Sequence, residues 1–446
     1  MSINEVKLSS SAEKVLGTLT EKGYAAYLVG GAVRDFLLEK PVCDYDVATS
    51  ALPEHVIAVF GEKNCIKTGL KHGTVTVLAP KPVEVTTFRK DGDYFDMRRP
   101  ETVEFLSDIK EDLQRRDFTV NAMAYSPKDG LIDYFGGLQD LKNKVIRAVG
   151  DPYKRFEEDA LRILRALRFS SKLGFKIEEK TSAAIRELKK NLSAVSKERI
   201  FSELFKLVCG EHAAEVLSEY AEVIFEILPE LKPCYKFEQH SKWHRYDVYE
   251  HIVRSVGYIK SDETLRFAML FHDAGKPKKF FIGKDGAGHF YGHAKPSAYI
   301  AASALKRLKA PNKLINDVFL LVLEHDKPIK GDDISIKKKL KDLGEKTLFD
   351  LIEVKKADHK AQGTVLAEEE SKEIFAFEEA VKKIIERGDC YKISSLAVRG
   401  DDLKEIGFSG KEIGETLDAL LNDVICGNLP NDRERLLKSA EKRFNR

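Results

Sequence analysis

Two aspartates, Asp44 and Asp46, follow a glycine pair in the short segment LVGGAVRDFLLEKPVCDYDVATS. In an extended strand, residues two apart point to the same face, so these two carboxylates are expected to converge. Carboxylates held that close repel each other and are usually retained to bind a divalent cation. Mg²⁺ prefers carboxylate together with substrate phosphate oxygens, so the pattern predicts a magnesium site. Glu84, in VEVTTFR, is a candidate third carboxylate on a neighbouring strand.

The glycine pair, Gly30 and Gly31, lies where a strand pattern, AAYLVGG, runs into a helix pattern, AVRDFLLE. Glycine lets the backbone approach a ligand closely, and the N–H groups at a helix start favour an anion such as a triphosphate. Arg34 falls in the first helical turn and adds positive charge there. A plain tight turn would explain the glycines alone. Beside the two aspartates, they favour metal-assisted nucleotidyl transfer, which needs both a phosphate cradle and bound metal ions.

A second polar group lies in RFEEDALRILRALRF. A continuous helix would place Asp159, Arg162, Arg165 and Arg168 on one ridge, with leucines on the next. An amphipathic helix with internal salt bridges explains this segment equally well. Between positions 161 and 200, eleven Lys or Arg stand against four Glu, an excess of seven positive charges. Such a stretch is typical of a polyanion-binding surface or of a solvated helix face.

Most of the histidines lie between Tyr235 and His359. Side chains from successive helices can converge on one ion, and imidazole suits Mn, Fe, Ni or Zn better than Mg. A lone buried histidine is usually only a packed core residue, so a cluster of ligands rather than any single histidine would indicate a divalent transition-metal site.

The segments that must hold these residues change character along the chain. Up to about Gly150, strand patterns alternate with helical ones, and from Asp151 onward nearly every segment has helical period. At 446 residues the chain is too long for a single core. We therefore expect an α+β protein in four parts: a mixed head (1–150), a helical neck (151–234), a histidine-rich metal-binding domain (235–365) and a helical tail (366–446).

Composition excludes several classes of protein. Hydrophobic residues make up 43% and charged residues 33%, which describes a water-soluble globular chain with a net charge of +2. The six cysteines are scattered without a CxxC pair, a pattern of reduced compartments. No signal peptide is evident, and no apolar run approaches the roughly 18 residues of a membrane span. We expect a cytoplasmic protein that does not enter membranes; the sequence leaves its oligomeric state open.

Eight motifs appear in order over about residues 25–170: LVGGAVRD, DYDVATSA, TGLKHGTVTV, EVTTFR, DGDYFDMRRP, RRDFTVNAMAY, DYFGGLQDL and RFEEDALRILRALRF. Together they resemble class II tRNA nucleotidyltransferases, the CCA-adding enzymes, of the polymerase-β-like superfamily that also contains bacterial poly(A) polymerases. The resemblance implies a nucleotidyltransferase head followed by an elongated all-α neck and body. The neck would select the base and bind RNA, and the C-terminal tail would bind tRNA. It also implies template-independent addition of C, C and A, from CTP and ATP, to the tRNA acceptor end, with Mg²⁺ at the transfer site and release of pyrophosphate.

The resemblance gives the EDALR segment a role in reading the incoming base. Asp159 and Arg162 would hydrogen-bond the base, and Glu158 would orient them. A carboxylate only accepts and a guanidinium only donates, which matches the pairing edges of C and A but not those of U and G. Arg165 and Arg168 would lie near the phosphates or the base pocket.

Two further motifs carry expectations from the same resemblance. In RRDFTVNA, Arg116 would contact the triphosphate or ribose, with Asn121 as its support. The stretch from Arg89 to Pro100 resembles the family's flexible loop, which helps switch the pocket from C to A and argues against a CC-only enzyme. An A-adding or CC-adding enzyme and a poly(A) polymerase remain the nearest alternatives, because the whole family shares one head domain.

The histidine-rich middle is similar to the HD metal-dependent phosphohydrolase superfamily, whose H…HD…D pattern matches His251, His272-Asp273 and Asp358. His293 and His325 fall where two-metal members of that superfamily carry ligands. Hydrolysis, for example of a 2′,3′-cyclic phosphate, a structural metal and a decayed site all remain open. A more remote alternative is a phosphohydrolase acting on RNA ends, with the head reduced to RNA binding.

Overall fold

The structure is a computed structural model that describes residues 8–42, 44–92, 103–241 and 243–444. Contacts divide the chain into two compact units, with the boundary between Pro229 and Glu230. The predicted head (1–150) and all but the last five residues of the predicted neck (151–234) fall in the first unit, and the predicted metal domain and tail fall in the second. The four-part division itself stays a prediction. Among the described helices, none combines the length and apolar character needed to cross a membrane.

The first unit is built on a seven-stranded sheet in the order β3-β4-β5-β2-β1-β8-β9. Strands β2 and β5 run parallel, and the other neighbouring pairs are antiparallel. Two further pairs, β6 with β7 and β10 with β11, form small separate sheets. The strands are β1 (Ala26–Val29), β2 (Asp46–Thr49), β3 (Cys65–Gly69), β4 (Thr74–Val77), β5 (Val83–Thr87), β6 (Arg89–Asp91), β7 (Val103–Phe105), β8 (Ala124–Ser126), β9 (Gly130–Ile132), β10 (Val145–Ile146) and β11 (Lys176–Ile177).

Helices pack around this sheet and then continue as a helical region. They are α1 (Ser10–Glu21), α2 (Gly31–Leu37), α3 (Pro53–Phe60), α4 (Ile109–Gln114), α5 (Gly137–Asn143), α6 (Pro152–Glu158), α7 (Leu161–Leu173), α8 (Glu179–Leu188), α9 (Lys197–Val208), α10 (Ala213–Glu219) and α11 (Ala221–Ile227). Near the change of character expected at Gly150, which stays a prediction, Asp151 caps α6 by accepting a hydrogen bond from the Tyr153 N–H at 3.2 Å. Pro152 supplies the fixed φ of the first helical turn.

Close packing fixes a 3₁₀ turn at Thr119–Asn121, which carries one of the predicted site residues. Helix α5 approaches this turn so closely that a Cβ added at Gly137 would lie 2.3 Å from the Thr119 carbonyl oxygen. The Thr119 hydroxyl donates to Asp140 Oδ2 on the same helix at 2.7 Å. The absence of a side chain at Gly137 therefore lets α5 position Asn121.

The second unit is nearly all helical, with one short hairpin, β12 (Phe281–Ile282) and β13 (Gly288–His289). The 30-residue α16 contains a kink at Gly344, whose φ of 74° is outside the helical range. Separate apolar clusters form under α16–α17 and under α18–α20. The helices are α12 (Val248–Tyr258), α13 (Glu263–Phe271), α14 (Ala294–Arg307), α15 (Asn312–Glu324), α16 (Asp333–Gln362), α17 (Val365–Glu386), α18 (Gly400–Glu405), α19 (Lys411–Ile425) and α20 (Arg433–Phe444).

Replacing Gly137 with alanine tests the close packing of α5. We expect Gly137→Ala to lower the free energy of unfolding by about 1–3 kcal/mol, because the new methyl group must displace backbone. Gly17→Ala is the matched control: Gly17 lies inside α1 with nothing within 4 Å of an added Cβ, so alanine there should be neutral or stabilising. Urea unfolding curves measure both. Equal stability of Gly137→Ala and wild type would contradict the packing argument.

Candidate active site and metal centre

A cavity of about 810 Å³ in the first unit gathers the predicted transfer-site residues. Glu158 is the one predicted nucleotide-binding residue that does not line it, and it contacts Arg162, which does. Further lining residues come from α7 and α9. The predicted residues that line the cavity are Gly30, Gly31, Arg34, Asp44, Asp46, Arg116, Asn121, Asp159, Arg162, Arg165 and Arg168.

The acidic pair lies at the start of β2. Asp46 is the first residue of that strand and Asp44 precedes it, and both carboxylates face the cavity. The parallel pairing of β2 with β5 puts Glu84 directly beside Asp46. Desolvation and, after it, the neighbouring Glu84 raise the pKa of Asp46. Arg116 lowers that pKa, and Asp44 raises it further. Clustered carboxylates of this kind fit a hard divalent cation, which relieves their repulsion and prefers oxygen ligands.

The glycine turn adopts backbone geometry that suits glycine. Gly30 has φ 69° and ψ −132° and precedes α2, and a Cβ built there would lie 3.0 Å from Arg116 Nη1. Most residues with a side chain are strained at that positive φ. The turn therefore brings backbone close to a guanidinium at the edge of the cavity.

Asn121 supports Arg34 rather than Arg116, which corrects the expectation from the sequence. Arg34 is buried, and its Nη1 donates to Asn121 Oδ1 at 2.7 Å. Asn121 in turn donates to Asp117 Oδ1 at 3.3 Å. Arg116 has a different partner, Asp112, at 3.1 Å. Arg34 crosses the base of the cavity and reaches the 3₁₀ turn, whereas Arg116 pairs within its own chain segment.

The predicted ridge from Asp159 to Arg168 is wrong at its first residue. The helix breaks at Asp159, which has φ −142° and ψ 101°, so α6 ends before it and α7 begins at Leu161. Asp159 Oδ1 accepts a hydrogen bond from the Leu161 N–H at 3.1 Å. Short acidic side chains compete for backbone donors in this way, which favours a cap over a helix interior.

Asp159 and Arg162 both face the cavity, but each is held by its own partner. Asp159 Oδ2 accepts from Arg199 Nη2 at 2.7 Å. Arg162 donates from Nη1 to Glu158 Oε2 at 2.7 Å and from Nη2 to the Arg115 carbonyl oxygen at 3.0 Å. The orienting contact expected of Glu158 is present for Arg162. A carboxylate acceptor and a guanidinium donor are thus fixed independently at the same wall.

Two buried acids hold the remaining guanidinium groups. Arg165 donates to Asp117 Oδ2 at 2.7 Å, and Arg168 pairs with Glu203 at 3.0 Å. Burial alone would raise the pKa of Asp117, but Arg165 holds it below the ordinary value. The Phe169 ring lies 4.2 Å from Arg168 Cζ, 5.5 Å from Arg165 Cζ and 5.2 Å from Arg34 Cζ, measured to the ring centroid. These contacts fix closely spaced positive charges around one aromatic face.

Sequence reasoning missed three residues that hold the cavity wall: Asp117, Arg199 and Glu203. Arg199 and Glu203 lie four apart on α9, within SKERIFSEL, and both point towards α7. Their i, i+4 spacing on an amphipathic helix was a usable signal, although an internal salt bridge is the usual interpretation of such a pair. Of the stretch resembling a flexible loop, Arg89–Asp91 forms β6, and positions 93–100 lie outside the described residues.

The six predicted ligands of the histidine-rich region come together in the second unit. On one side, His251 Nε2 lies 3.0 Å from Asp358 Oδ1 and 3.1 Å from His272 Nε2. On the other, His293 Nε2 lies 3.2 Å from His325 Nε2. Asp273 stands between the two sides: its Oδ2 is 3.3 Å from His272 Nε2, and its Oδ1 is 3.0 Å from His293 Nε2. Two overlapping groups of three ligand atoms could each hold an ion.

The tautomers of three of these histidines can be assigned from their backbone contacts. The Nδ1 atoms of His272, His293 and His325 lie 2.7, 3.1 and 2.6 Å from backbone carbonyl oxygens. A carbonyl oxygen only accepts, so each Nδ1 carries the proton, and in the neutral ring each Nε2 presents a lone pair inward. In their neutral forms, His293 and His325 bring two acceptor nitrogens within 3.2 Å of each other, and a cation bound between them relieves that repulsion. This donor set fits a transition metal.

A lysine that sequence reasoning missed completes the wall of this centre. Lys276 is buried, and its Nζ lies 2.6 Å from Asp273 Oδ2 and donates to Gln239 Oε1 at 2.8 Å. Burial by itself raises the pKa of Asp273, but His272 and Lys276 hold it well below the ordinary value. Asp273 is therefore ionised and available as a ligand. A cavity of about 600 Å³ opens from this centre to the surface.

Comparisons with known proteins place the chain among characterised relatives. The family models described as "Poly A polymerase head domain", "Probable RNA and SrmB- binding site of polymerase A" and "tRNA nucleotidyltransferase domain 2 putative" match residues 26–147, 174–234 and 293–440. The CCA-adding enzyme of Enterococcus faecalis is 34% identical over 442 residues, which covers 98% of this chain and 96% of that one. The chain belongs to the CCA-adding enzyme family.

Other members of the CCA-adding enzyme family agree with this assignment. The crystal structure of the Bacillus stearothermophilus CCA-adding enzyme in complex with CTP has a TM-score of 0.72 and 30% identity, covering 98% of this chain and 97% of that one. The Leuconostoc citreum CCA-adding enzyme is 50% identical over 208 residues, and that match spans about half of each protein, 46% and 51%. The predicted family and the α+β fold class are confirmed.

Membership in the CCA-adding enzyme family does not extend to every prediction. It implies a divalent metal ion for catalysis, which the acidic group at β2 fits. None of the three matching family descriptions names a histidine–aspartate metal domain. The resemblance of the histidine-rich region to HD phosphohydrolases therefore stays a prediction, as do the roles of the individual site residues.

Proposed function

We propose that this chain adds C, C and A to the 3′ end of tRNA, using CTP and ATP and releasing pyrophosphate. One observation carries the proposal: in a chain of the CCA-adding enzyme family, a single cavity contains an acidic pair, a glycine turn and a separately anchored carboxylate and guanidinium. The terminal 3′ oxygen forms a bond to the α-phosphorus, and the bond from that phosphorus to the β-phosphate bridging oxygen breaks. A tRNA substrate places this activity in the cytoplasm.

The transfer chemistry belongs to the acidic side of the cavity. Asp44 and Asp46 would hold Mg²⁺, with Glu84 beside them as a further carboxylate. When bound, the metal supplies Lewis-acid activation of the attacking hydroxyl and charge neutralisation at the leaving pyrophosphate. Gly30 and Gly31 let the backbone approach the triphosphate, and Arg34 and Arg116 balance its charge.

Base selection belongs to the opposite wall, where Asp159 accepts and Arg162 donates. C presents an amino donor beside acceptors at N3 and O2, and A presents an amino donor beside N1. U and G reverse this polarity, so they leave buried polar groups unpaired, which costs far more than the loss of one good contact. Because Arg199 and Glu158 hold the two side chains in place, the same pair can read successive nucleotides without a nucleic-acid template.

The centre in the second unit supports a separate proposal. We infer that its histidines and aspartates hold one or two transition-metal ions (Mn, Fe, Ni or Zn), because two overlapping groups of buried ligand atoms converge there, each close enough to share one ion. His251, His272 and Asp358 would hold one ion, His293 and His325 the other, and Asp273 would serve both. A metal-bound hydrolytic centre acting on phosphate esters at RNA ends is the second candidate activity.

The transfer proposal is tested by extending tRNA that lacks CCA with each nucleotide separately and together. We expect two C additions from CTP alone and one further A once ATP is present. Asp46→Asn should reduce extension by about a thousandfold or more, because metal coordination contributes several kcal/mol to the transition state. Asp129→Asn, an exposed aspartate bonded to Ser126, should behave as wild type. Addition of A alone to tRNA ending in CC, or long A tails, would contradict full CCA addition.

The anchoring of Asp159 is tested through nucleotide selectivity. We expect Arg199→Ala to lower the ratio of kcat/KM for CTP over UTP by about tenfold, because a hydrogen bond to a charged group contributes about 1.5–3 kcal/mol. Arg199→Lys should restore part of the ratio. Arg387→Ala, which removes an exposed ion pair with Asp333, is the matched control. A fall in kcat/KM for every nucleotide with an unchanged ratio would indicate a purely structural role.

The second centre is tested by metal analysis of the purified chain. We expect up to two equivalents of transition metal by mass spectrometry. Asp273→Ala should lose all of it, since that carboxylate faces both groups, and His325→Ala should lose about half. His212→Ala, which removes a half-exposed histidine in the first unit, should retain the wild-type content. Metal-free wild-type protein after growth and purification with these ions present would contradict the centre.

A further inference from the structure

The outer face of the β12–β13 hairpin carries three aromatic rings that contact one another. Phe281 and His289 lie 5.4 Å apart with an interplanar angle of 30°, and His289 and Tyr291 lie 5.2 Å apart at 23°. Phe281 and Tyr291 lie 5.8 Å apart. Phe281 is 46% exposed and Tyr291 73% exposed, so this ladder of rings faces solvent. A surface hairpin ordinarily carries polar side chains on that face.

The inner face explains why these rings hold their positions. Phe280 packs edge-on against Phe237 at 5.2 Å and at a tilt of 40° against Phe290 at 5.5 Å, and Phe290 is buried. Gly288 lets the hairpin approach Gln239, where an added Cβ would lie 2.1 Å from the backbone oxygen. The hairpin is therefore fixed from below. Its outer rings form a preorganised surface, which lowers the entropy lost when a ligand stacks on them.

This surface borders the cavity of the histidine centre. His289 and Tyr291 line the same cavity as His293, His325 and Asp358. The surrounding segment is basic: between positions 275 and 296 the chain has five lysines and one aspartate. Four of these lysines, Lys278, Lys279, Lys284 and Lys295, are exposed. Stacked rings beside exposed lysines are the arrangement with which proteins hold single-stranded nucleic acid, where bases stack on rings and cations follow the phosphates.

We propose that Phe281, His289 and Tyr291 form a base-stacking surface for single-stranded nucleic acid, which directs a terminal phosphate towards the histidine centre. The inference rests on the metal centre proposed above and names its substrate class, a nucleotide chain end rather than a free phosphate ester. Because every base can stack on a ring and every phosphate attracts a lysine, the binding of nucleic acid would not depend on its base sequence. The transfer cavity of the first unit contributes no residue to it.

The chain's sole tryptophan, Trp243, lines this cavity and serves as a local reporter. We expect a penta-adenylate carrying a 3′-phosphate to change Trp243 fluorescence on titration into the full chain. Phe281→Ala and Tyr291→Ala should each weaken binding roughly tenfold, in line with measured contributions of base–aromatic stacking. Tyr291→Phe should bind as wild type. Tyr299→Ala is the matched control, because Tyr299 is 59% exposed but packs on Phe319 outside this cavity.

Three results would overturn the proposal: equal affinity for an oligomer of the same length without bases, unchanged affinity in both alanine variants, or self-association of the wild type that both variants abolish. The last would show that a second copy of the chain covers the rings. Metal content measured on the same samples separates the two hypotheses. If bases change Trp243 fluorescence in protein without bound metal, the proposed metal centre is wrong and the stacking surface stands. If metal is bound but Trp243 fluorescence does not change, the stacking surface is wrong and the metal centre stands.

Discussion

A buried carboxylate, Asp117, organises the transfer cavity. One of its oxygens accepts from Arg165, and the other accepts from Asn121, which in turn holds Arg34. A site for a triphosphate must concentrate positive charge, yet guanidinium groups repel one another before the ligand arrives. A fixed acid beneath them offsets that repulsion and sets their directions, so less reorganisation is needed when a polyanion enters. In the same way, the carboxylate of Glu203 pairs with Arg168, and that of Asp112 pairs with Arg116.

The fold meets the opposite requirement at the start of β2, where negative charge is concentrated. A parallel neighbour in an otherwise antiparallel sheet places Glu84 level with Asp46. These two carboxylates are carried by paired strands, so their spacing is set by strand geometry, whereas Asp44 lies just before β2. Rigid elements hold a reacting constellation more accurately than loops do. The cavity thus sets an acidic strand edge against a basic helical wall.

Much of this arrangement could be predicted from the sequence, because its motifs carry local signals. The glycine turn, the acidic pair and the change to helices near Asp151 depend on short-range patterns, and the six residues of the second centre came from the order in which they match the HD superfamily. The errors arose where a residue's partner lies far along the chain. Asp159 left the helix because its side chain caps α7 and meets Arg199, forty positions later. Asn121 was assigned to the wrong arginine for the same reason, since only tertiary packing brings Arg34 to it.

In the second unit, different parts of the fold set the orientation of each histidine ring and the distance between the rings. In His272, His293 and His325, the bonded carbonyl belongs to the residue three positions earlier, so each ring is oriented by its own turn of chain. The meeting point of the rings is instead set by how α12 to α16 pack. Orientation and separation can therefore change independently during evolution. In the metal centre that we propose, a helix that shifts by a fraction of an ångström would change the distances between ligands, and with them the preferred ion, while every imidazole keeps its direction.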